Sequence, residues 1–363
     1  NCIRFHKMGH MEINTMIGCR VDCDFCPQTL LMDKYSSQNK IENVSYGNPT
    51  FMSFETFKTC LDKTPKSLRI IFSGYAEPFL NPECIKMIIY THNSGRPIEI
   101  FSTLVGLKLE DIDQFKHIPF TNFHIHLPDA KMFAKIAVNK NYIAVLKKLL
   151  TSDIKNLTAM TMGPLHPKIK EILVTDIEQS EMISRAGNVE IVKNNFKRKL
   201  GPLVCHRGSY ADLEDRLDVN VLLPNGDVSL CCNDYGLQNI LGNLLKTDYA
   251  SLFQSDAFKK IREKMKSHDS DIICRNCHES MPESELIERR KIKNDYANDK
   301  TALSIIHLYQ KLLQRYPDKD GFNYFYSKIS NNELTIQGLE DIINQSTEYT
   351  HFSPIKLGLK HFS

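Results

Sequence analysis

The sequence predicts an α/β fold: an open, partial TIM-like (β/α)6 barrel, then a small α+β domain and a C-terminal helical module. Three observations lead there. From residue 11 to residue 192, short apolar strand-like runs alternate with amphipathic stretches, the pattern of parallel βαβ units. Three cysteines, Cys19, Cys23 and Cys26, follow directly on the first strand-like run. From about residue 198 the alternation stops, and a hairpin signal, a charged helical stretch and further cysteines replace it.

The elements follow in order. MEINTMIG (11–18) is a short β-rich run leading into the cysteine loop. SFETFKTCLDKT (53–64) has Ser53 as N-cap and Glu55 in the first turn of a helix. LRIIFSG (68–74) reads as a buried strand. In NPECIKMIIYTHNSG (81–95), Asn81 caps, Pro82 takes the first helical position and Gly95 closes. The strand IEIFSTLVG (98–106), the helix LKLEDIDQFKHI (107–118) and the strand NFHIHLPD (122–129) come next. NYIAVLKKLLTSDI (141–154) is an amphipathic helix, NLTAMTMG (156–163) a strand, HPKIKEILVTDIEQS (166–180) a helix and VEIV (189–192) a sixth strand. Six units are too few for a closed eight-fold barrel, and in such barrels chemistry sits at the C-terminal strand ends.

Beyond 198, LDVNVLLPNGDVSLCCNDY (217–235) is a hairpin turning at Pro224-Asn225-Gly226-Asp227. A helical stretch (251–267) precedes ICRNCHES (273–280), and the charged segment 283–300 is a linker or exposed helix. Residues 301–349 form a small helical module, in which Tyr309, Phe322, Tyr324 and Phe325 are expected as core. The domain limits that result are 1–197, 198–285 and 286–363.

Composition narrows the function classes. With 46 basic and 43 acidic residues the net charge is +3, which argues against broad nucleic-acid binding. No apolar run approaches the roughly 18 residues of a membrane span, so neither membrane nor nucleic acid is an expected partner. Eleven cysteines in 363 residues at spacings such as C-x3-C-x2-C point to metal or cluster ligation in a reducing, cytoplasmic setting, since a disulfide scaffold would be short and loop-rich.

A cubane iron–sulfur cluster takes four thiolates, one per iron. Three thiolates on one loop leave an iron open, as an open position marks a catalytic zinc. C-x3-C-x2-C with Phe25 before the last cysteine resembles the radical S-adenosylmethionine (SAM) superfamily. The resemblance implies that Cys19, Cys23 and Cys26 hold a [4Fe–4S] cluster, whose open iron chelates SAM and whose reduction yields a 5′-deoxyadenosyl radical. A zinc knuckle is the plainer reading of the same trio. FSGYAEP (72–78) stands where that family carries G-G-E-P: Gly74, Glu77 and Pro78 match, whereas Tyr75 and Ala76 replace glycines. By the same resemblance Gly74, Ala76, Glu77, Pro78, Ser102 and Thr103 line the cofactor, and Arg185 in SRAGN lies near cofactor or substrate. His124 and His126, two apart on a strand, share a face. They are either a substrate or proton-handling pair, with Asp129 at the mouth, or buried core histidines.

Cys205, Cys231, Cys274 and Cys277 make a full ligand set, with Cys232 in reserve. G-x4-C followed by C-x2-C resembles the SPASM extension of radical enzymes, or its shortened twitch form, and implies one auxiliary [4Fe–4S] cluster. A structural zinc site has the same count and similar spacings. The segment 308–329 resembles a small helical module of unknown function. The resemblance implies an oxidoreductase that abstracts a hydrogen atom from a hydroxylated small molecule (a sugar, cyclitol or nucleotide sugar) and dehydrogenates it with help from the auxiliary cluster. A flavodoxin- or ferredoxin-like donor would supply electrons. Epimerisation and peptide maturation are the alternative outcomes, and a zinc-stabilised binding protein is the alternative class.

Overall fold

The computed structural model describes residues 9–173, 177, 179–180, 182–189, 197–205, 217–313 and 315–346. Two compact units divide the chain, the first drawn from 8–197 and 217–263, the second from 198–216 and 264–354.

In chain order the first unit holds β1 (His10–Ile13), β2 (Met16–Ile17), α1 (Gln28–Asn39), β3 (Thr50–Phe51), α2 (Phe54–Asp62), β4 (Arg69–Phe72), α3 (Cys84–Asn93), β5 (Ile98–Ser102), α4 (Leu109–Phe115), β6 (Asn122–His126), α5 (Lys140–Leu150), β7 (Leu157–Met160) and α6 (Pro167–Lys170). After β8 (Leu203–Cys205), which belongs to the second unit, come β9 (Val219–Leu222), β10 (Asp227–Ser229) and β11 (Ile240–Asn243). Local chemistry sets the helix starts. Ser53 Oγ accepts from Thr56 N at 3.1 Å and Asn139 Oδ1 from Tyr142 N at 2.9 Å, each satisfying an amide that the first turn leaves unpaired.

The strands form one eight-stranded sheet in the order β11-β10-β9-β1-β4-β5-β6-β7. β1, β4, β5, β6 and β7 are parallel neighbours. The hairpin does not stand apart, because β9 pairs in parallel with β1, His10 opposite Val219, and β10 and β11 follow antiparallel. The SPASM-like hairpin therefore extends the barrel sheet itself. Paired residues of a sheet point to one face. One face carries Met11, Ile13, Ile70, Phe72, Ile98, Ile100, Phe123 and Ile125, all buried. The other carries His10, Glu12, Arg69, Glu99, His124 and Thr158.

Two expectations shift, and a third lies outside the described residues. Helix 81–95 begins at Cys84; Asn81 stands ahead of it, its Oδ1 accepting from Glu83 N at 2.8 Å while its amide donates to the Thr15 and Met52 carbonyls, both at 2.8 Å. The helix expected over 166–180 is α6 alone among the described residues. The sixth strand at 189–192 lies outside the described residues, Val189 excepted.

In the second unit β8 pairs antiparallel with β12 (Ser280–Pro282), Cys205 opposite Ser280. Four helices follow when the sequence is read onward: Glu283–Asp295, Lys300–Leu312, Lys319–Ser330 and Ile336–Asn344. The charged segment is thus a helix, and its Leu286 and Ile292 enter one core with Val204, Met281, Ile305, Tyr309, Phe322 and Leu339. The limits read from the sequence mark motif resemblance, and the packing groups 280–344 together. Of the expected aromatic core, Tyr324 is 58% exposed, because it occupies the outer side of its helix. Among the described residues no helix is long and apolar enough to cross a membrane.

Candidate active site at the strand ends of the first unit

The cysteine loop opens at Gly18, whose φ is +93°. A Cβ there would stand 2.6 Å from the Ser45 carbonyl oxygen, so only glycine fits. Backbone bonds fold the loop tightly: Asp22 N donates to Cys19 O at 3.3 Å and Cys26 N to Cys23 O at 3.0 Å. Lys135 braces it from outside, with Nζ 3.0 Å from Asp22 and 3.1 Å from Asp24. No disulfide joins Cys19, Cys23 and Cys26.

Donors are aimed at the sulfurs. Glu77 N points at Cys19 Sγ (3.4 Å), and Gln28 Nε2 at Cys26 Sγ (3.1 Å). The Tyr235 hydroxyl lies 3.2 Å from Cys26 Sγ. Burial pushes the Cys19 thiol up to about 12 and the Cys23 thiol further still, with the neighbouring cysteines adding to the latter. Such a loop stabilises thiolates only when a metal supplies positive charge. Among the described residues no three His, Cys, Asp or Glu side chains form a group that could hold a single metal ion. A cubane asks for another arrangement, one thiolate per iron, and donors aimed at the Cys19 and Cys26 sulfurs suit such ligands.

The FSGYAEP segment sits at the end of β4, beside this loop. Gly74 has φ +89°, and an added Cβ would press on Asn14 at 3.1 Å. Glu77 is 4% exposed. Its carboxylate accepts from Ser102 Oγ (2.8 Å), from Thr103 N and Oγ1 (2.6 Å each) and from Phe79 N (3.1 Å). Burial raises its pKa, and the Thr103 and Phe79 bonds work against that rise. Glu77, Ser102 and Thr103 therefore satisfy one another, fixing the backbone of 74–78 against the cysteine loop. Pro78 is buried, and its carbonyl accepts from Thr15 Oγ1 at 3.2 Å.

Tyr75, which stands in place of a glycine, is 1% exposed. Gln28 Nε2 also donates to its carbonyl. Its ring meets Tyr235 edge-on at 4.7 Å, and its hydroxyl donates to Cys231 O at 2.7 Å. The large side chain thus fills the space between the β4 end and the Cys231–Tyr235 loop. Asp234 rigidifies that loop by accepting from Gln238 N (3.0 Å) and Asn239 N (2.8 Å).

On β6, His124 Nδ1 lies 2.7 Å from Thr158 Oγ1, which itself donates to Asn122 Oδ1 at 2.9 Å. A hydroxyl has one proton, so His124 Nδ1 carries the hydrogen and Nε2 is a bare acceptor. Nε2 of His124 and of His126 are buried without a partner. Burial lowers both pKa values to about 4, leaving neutral rings. His126 stacks on Phe25 at 5.2 Å, linking β6 to the cysteine loop. Arg185, at φ +48°, acts by its charge on both His126 and Tyr235. Asp129, expected at the mouth, is held by its own loop: its carboxylate accepts from Lys131, Phe133 and Ala134 amides at 2.9–3.1 Å.

Cys205, Cys274 and Cys277 lie in the second unit, Cys231 and Cys232 in the first. Cys232 is buried in an apolar cluster with Leu31, Tyr75 and Leu223. Between Cys274 and Cys277, Arg275 is fully buried and donates to the carbonyls of Lys199 (3.1 Å), Gly201 (3.1 Å) and Ser267 (2.7 Å). Lys199 Nζ donates to Cys277 O at 2.7 Å.

A family model of the radical SAM superfamily matches residues 13–175. A model of the SPASM domain, an iron–sulfur cluster-binding domain, matches residues 217–278. The chain carries a radical SAM domain and a SPASM domain. As a radical SAM protein with a SPASM domain it takes a SAM-binding [4Fe–4S] cluster, an auxiliary cluster and SAM. Cys205 and Arg185 fall outside the two matches. No curated protein matches the sequence. Solved structures align at low identity. BtrN in complex with AdoMet and 2-DOIA gives 15% identity over 72% of this chain and 88% of that one, TM-score 0.48. Native anSMEcpe with bound AdoMet and Cp18Cys peptide gives 9%, 75% and 86%, TM-score 0.43. SuiB of Streptococcus suis bound to S-adenosylmethionine gives 12%, 70% and 68%, TM-score 0.36.

Sequence reasoning missed Gln28 and Tyr235. Gln28 stands two residues past Cys26 and Tyr235 three past Cys232. Nothing in either spacing says that the side chain turns back onto a sulfur.

Proposed function

We propose that this radical SAM enzyme dehydrogenates a hydroxylated small molecule (a sugar, cyclitol or nucleotide sugar), with Cys19, Cys23 and Cys26 holding the SAM-binding cluster. The auxiliary ligand set of Cys205, Cys231, Cys274 and Cys277 rests on spacing in the sequence. When bound, the two clusters and SAM supply a hydrogen-abstracting radical and an acceptor for one further electron. The substrate carbinol carbon gives up a hydrogen atom, and loss of the hydroxyl proton and one electron then leaves a carbonyl.

The observation that carries this reading is the unpartnered, neutral Nε2 of His124, with that of His126 two residues on. A buried acceptor without a donor costs stability, and a substrate O–H supplies the donor. The Thr158–Asn122 relay holds the His124 ring in that tautomer, and Arg185 offers a cation near His126. The backbone of 74–76 and the Glu77–Ser102–Thr103 group are suited to orient SAM beside the cysteine loop.

The test is anaerobic turnover with SAM, reductant and carbon-deuterated myo-inositol, UDP-glucose or a Cys-containing peptide. Dehydrogenation predicts deuterium in 5′-deoxyadenosine and a polyol product lighter by two hydrogens. A polyol product of unchanged composition that gains solvent deuterium means epimerisation. Deuterium transfer from the peptide alone rejects the polyol reading.

A further inference from the structure

Cys26 Sγ has two side-chain hydrogen-bonding neighbours in the first unit. One, Gln28 Nε2 at 3.1 Å, comes from its own loop. The other, the Tyr235 hydroxyl at 3.2 Å, comes from a residue 209 positions away in sequence. As a cluster ligand a cysteine sulfur has no proton, so both neighbours must donate to it. Tyr235 is 2% exposed, and several contacts leave its ring little freedom. Tyr75 packs edge-on against it, and the Tyr75 hydroxyl is bonded to Cys231 O. Asp234 N donates to Cys231 O at 3.0 Å and Leu237 N to Asp234 O at 2.9 Å, so the tyrosine stands on a closed turn. A hydrogen bond to a ligating sulfur draws off electron density and raises the reduction potential of its cluster.

We infer that Tyr235 tunes the SAM-binding cluster: its hydroxyl donates to the Cys26 thiolate and holds the cluster at a higher potential than the cysteine loop alone would give. This rests on Cys26 being a cluster ligand. Tyr235 is a positioning and tuning residue, in contact with neither substrate nor SAM by this account. It also lies four residues from Cys231. A disturbance of the Cys231 turn would therefore reach the Cys26 sulfur through the Tyr235 ring.

The experiment is an electron paramagnetic resonance redox titration of the anaerobic holoenzyme without SAM or substrate, for wild type, Tyr235→Phe, Tyr75→Phe and Cys26→Ala. Cys26→Ala identifies the signal concerned by removing it; survival of both reduced-cluster signals in that variant would reject the ligand assignment beneath the inference. With the signal identified, Tyr235→Phe is expected to keep its iron and lose several-fold in the ratio of reduced to oxidised cluster at a fixed potential. Tyr75→Phe, which removes a bond to the turn but none to sulfur, is expected to shift that ratio far less. An unchanged ratio in Tyr235→Phe overturns the inference. So does an equal shift in Tyr75→Phe, which would credit the turn, and so does loss of the cluster in Tyr235→Phe, which would make the hydroxyl purely structural.

Discussion

The hydroxyl of Tyr75 donates to the backbone carbonyl of Cys231 at 2.7 Å, so a residue at the end of β4 holds the turn that carries Cys231, a proposed auxiliary-cluster ligand. The family's glycine at this position has no side chain to do so. Tyr75→Phe should cost about 1–3 kcal/mol, because the lost hydroxyl also lies 2.9 Å from Ser229 Oγ and 3.2 Å from Asp234 O. Tyr75→Gly should cost about 3–5 kcal/mol, because it also empties the space the ring fills. Denaturation followed by circular dichroism checks both, and a stabilised Tyr75→Gly would contradict this packing.

Glu77 accepts four hydrogen bonds on two oxygens. In Glu77→Gln one oxygen becomes an amide donor that faces other donors. The expected cost is about 2–3 kcal/mol, with weaker SAM binding because the backbone of 74–78 loses its anchor. Isothermal titration of the unreduced holoenzyme with SAM reads the second effect. Glu77→Asp, too short to reach Thr103, should not rescue it.

His124 and His126 have folded pKa values of about 4 against an ordinary 6.5. Between those values the unfolded chain binds more protons than the folded one, so stability falls as pH drops from about 6.5 toward 4. The slope is up to about 1.4 kcal/mol per pH unit for each ring. His124→Gln should flatten the fall of the thermal midpoint across that window and leave its pH dependence above pH 7 unchanged. A wild-type midpoint flat from pH 6.5 to pH 4.5 would contradict neutral burial.

Arg275 gathers carbonyls of Lys199, Gly201 and Ser267 around the Cys274–Cys277 turn. Replacing it by leucine leaves those oxygens buried and unpaired, at a cost of at least ~3 kcal/mol. Limited proteolysis should cut 264–282 in Arg275→Leu well before it cuts the first unit.

Much of the first unit is legible in the sequence because its signals are local. Ser53 caps where a polar residue meets an amphipathic run, and the period of apolar residues separates strands from helices. The cysteine loop is legible because three thiols within eight positions have few other uses. What the sequence hides is long-range. The hairpin at 217–235 is recognisable as a hairpin, yet nothing local says that Val219 pairs with His10. Asn81 does accept from the Glu83 amide, but nothing local says that its own amide reaches the Thr15 and Met52 carbonyls. Asp129 looks like an open acid until three amides of its own loop claim it. Tyr235 carries no motif, because its role is set by a sulfur 209 residues away.

By the proposal above, Cys19, Cys23 and Cys26 leave one iron open for SAM while a second cluster is closed by protein ligands. The most direct measurement is electron paramagnetic resonance of the reduced enzyme titrated with SAM, with iron counted in the same sample. About eight irons per chain are expected, as two cubanes require, with two reduced-cluster signals. The signal lost in Cys23→Ala should change shape as SAM is added, while the other stays fixed. A Cys23-dependent signal indifferent to SAM would contradict it.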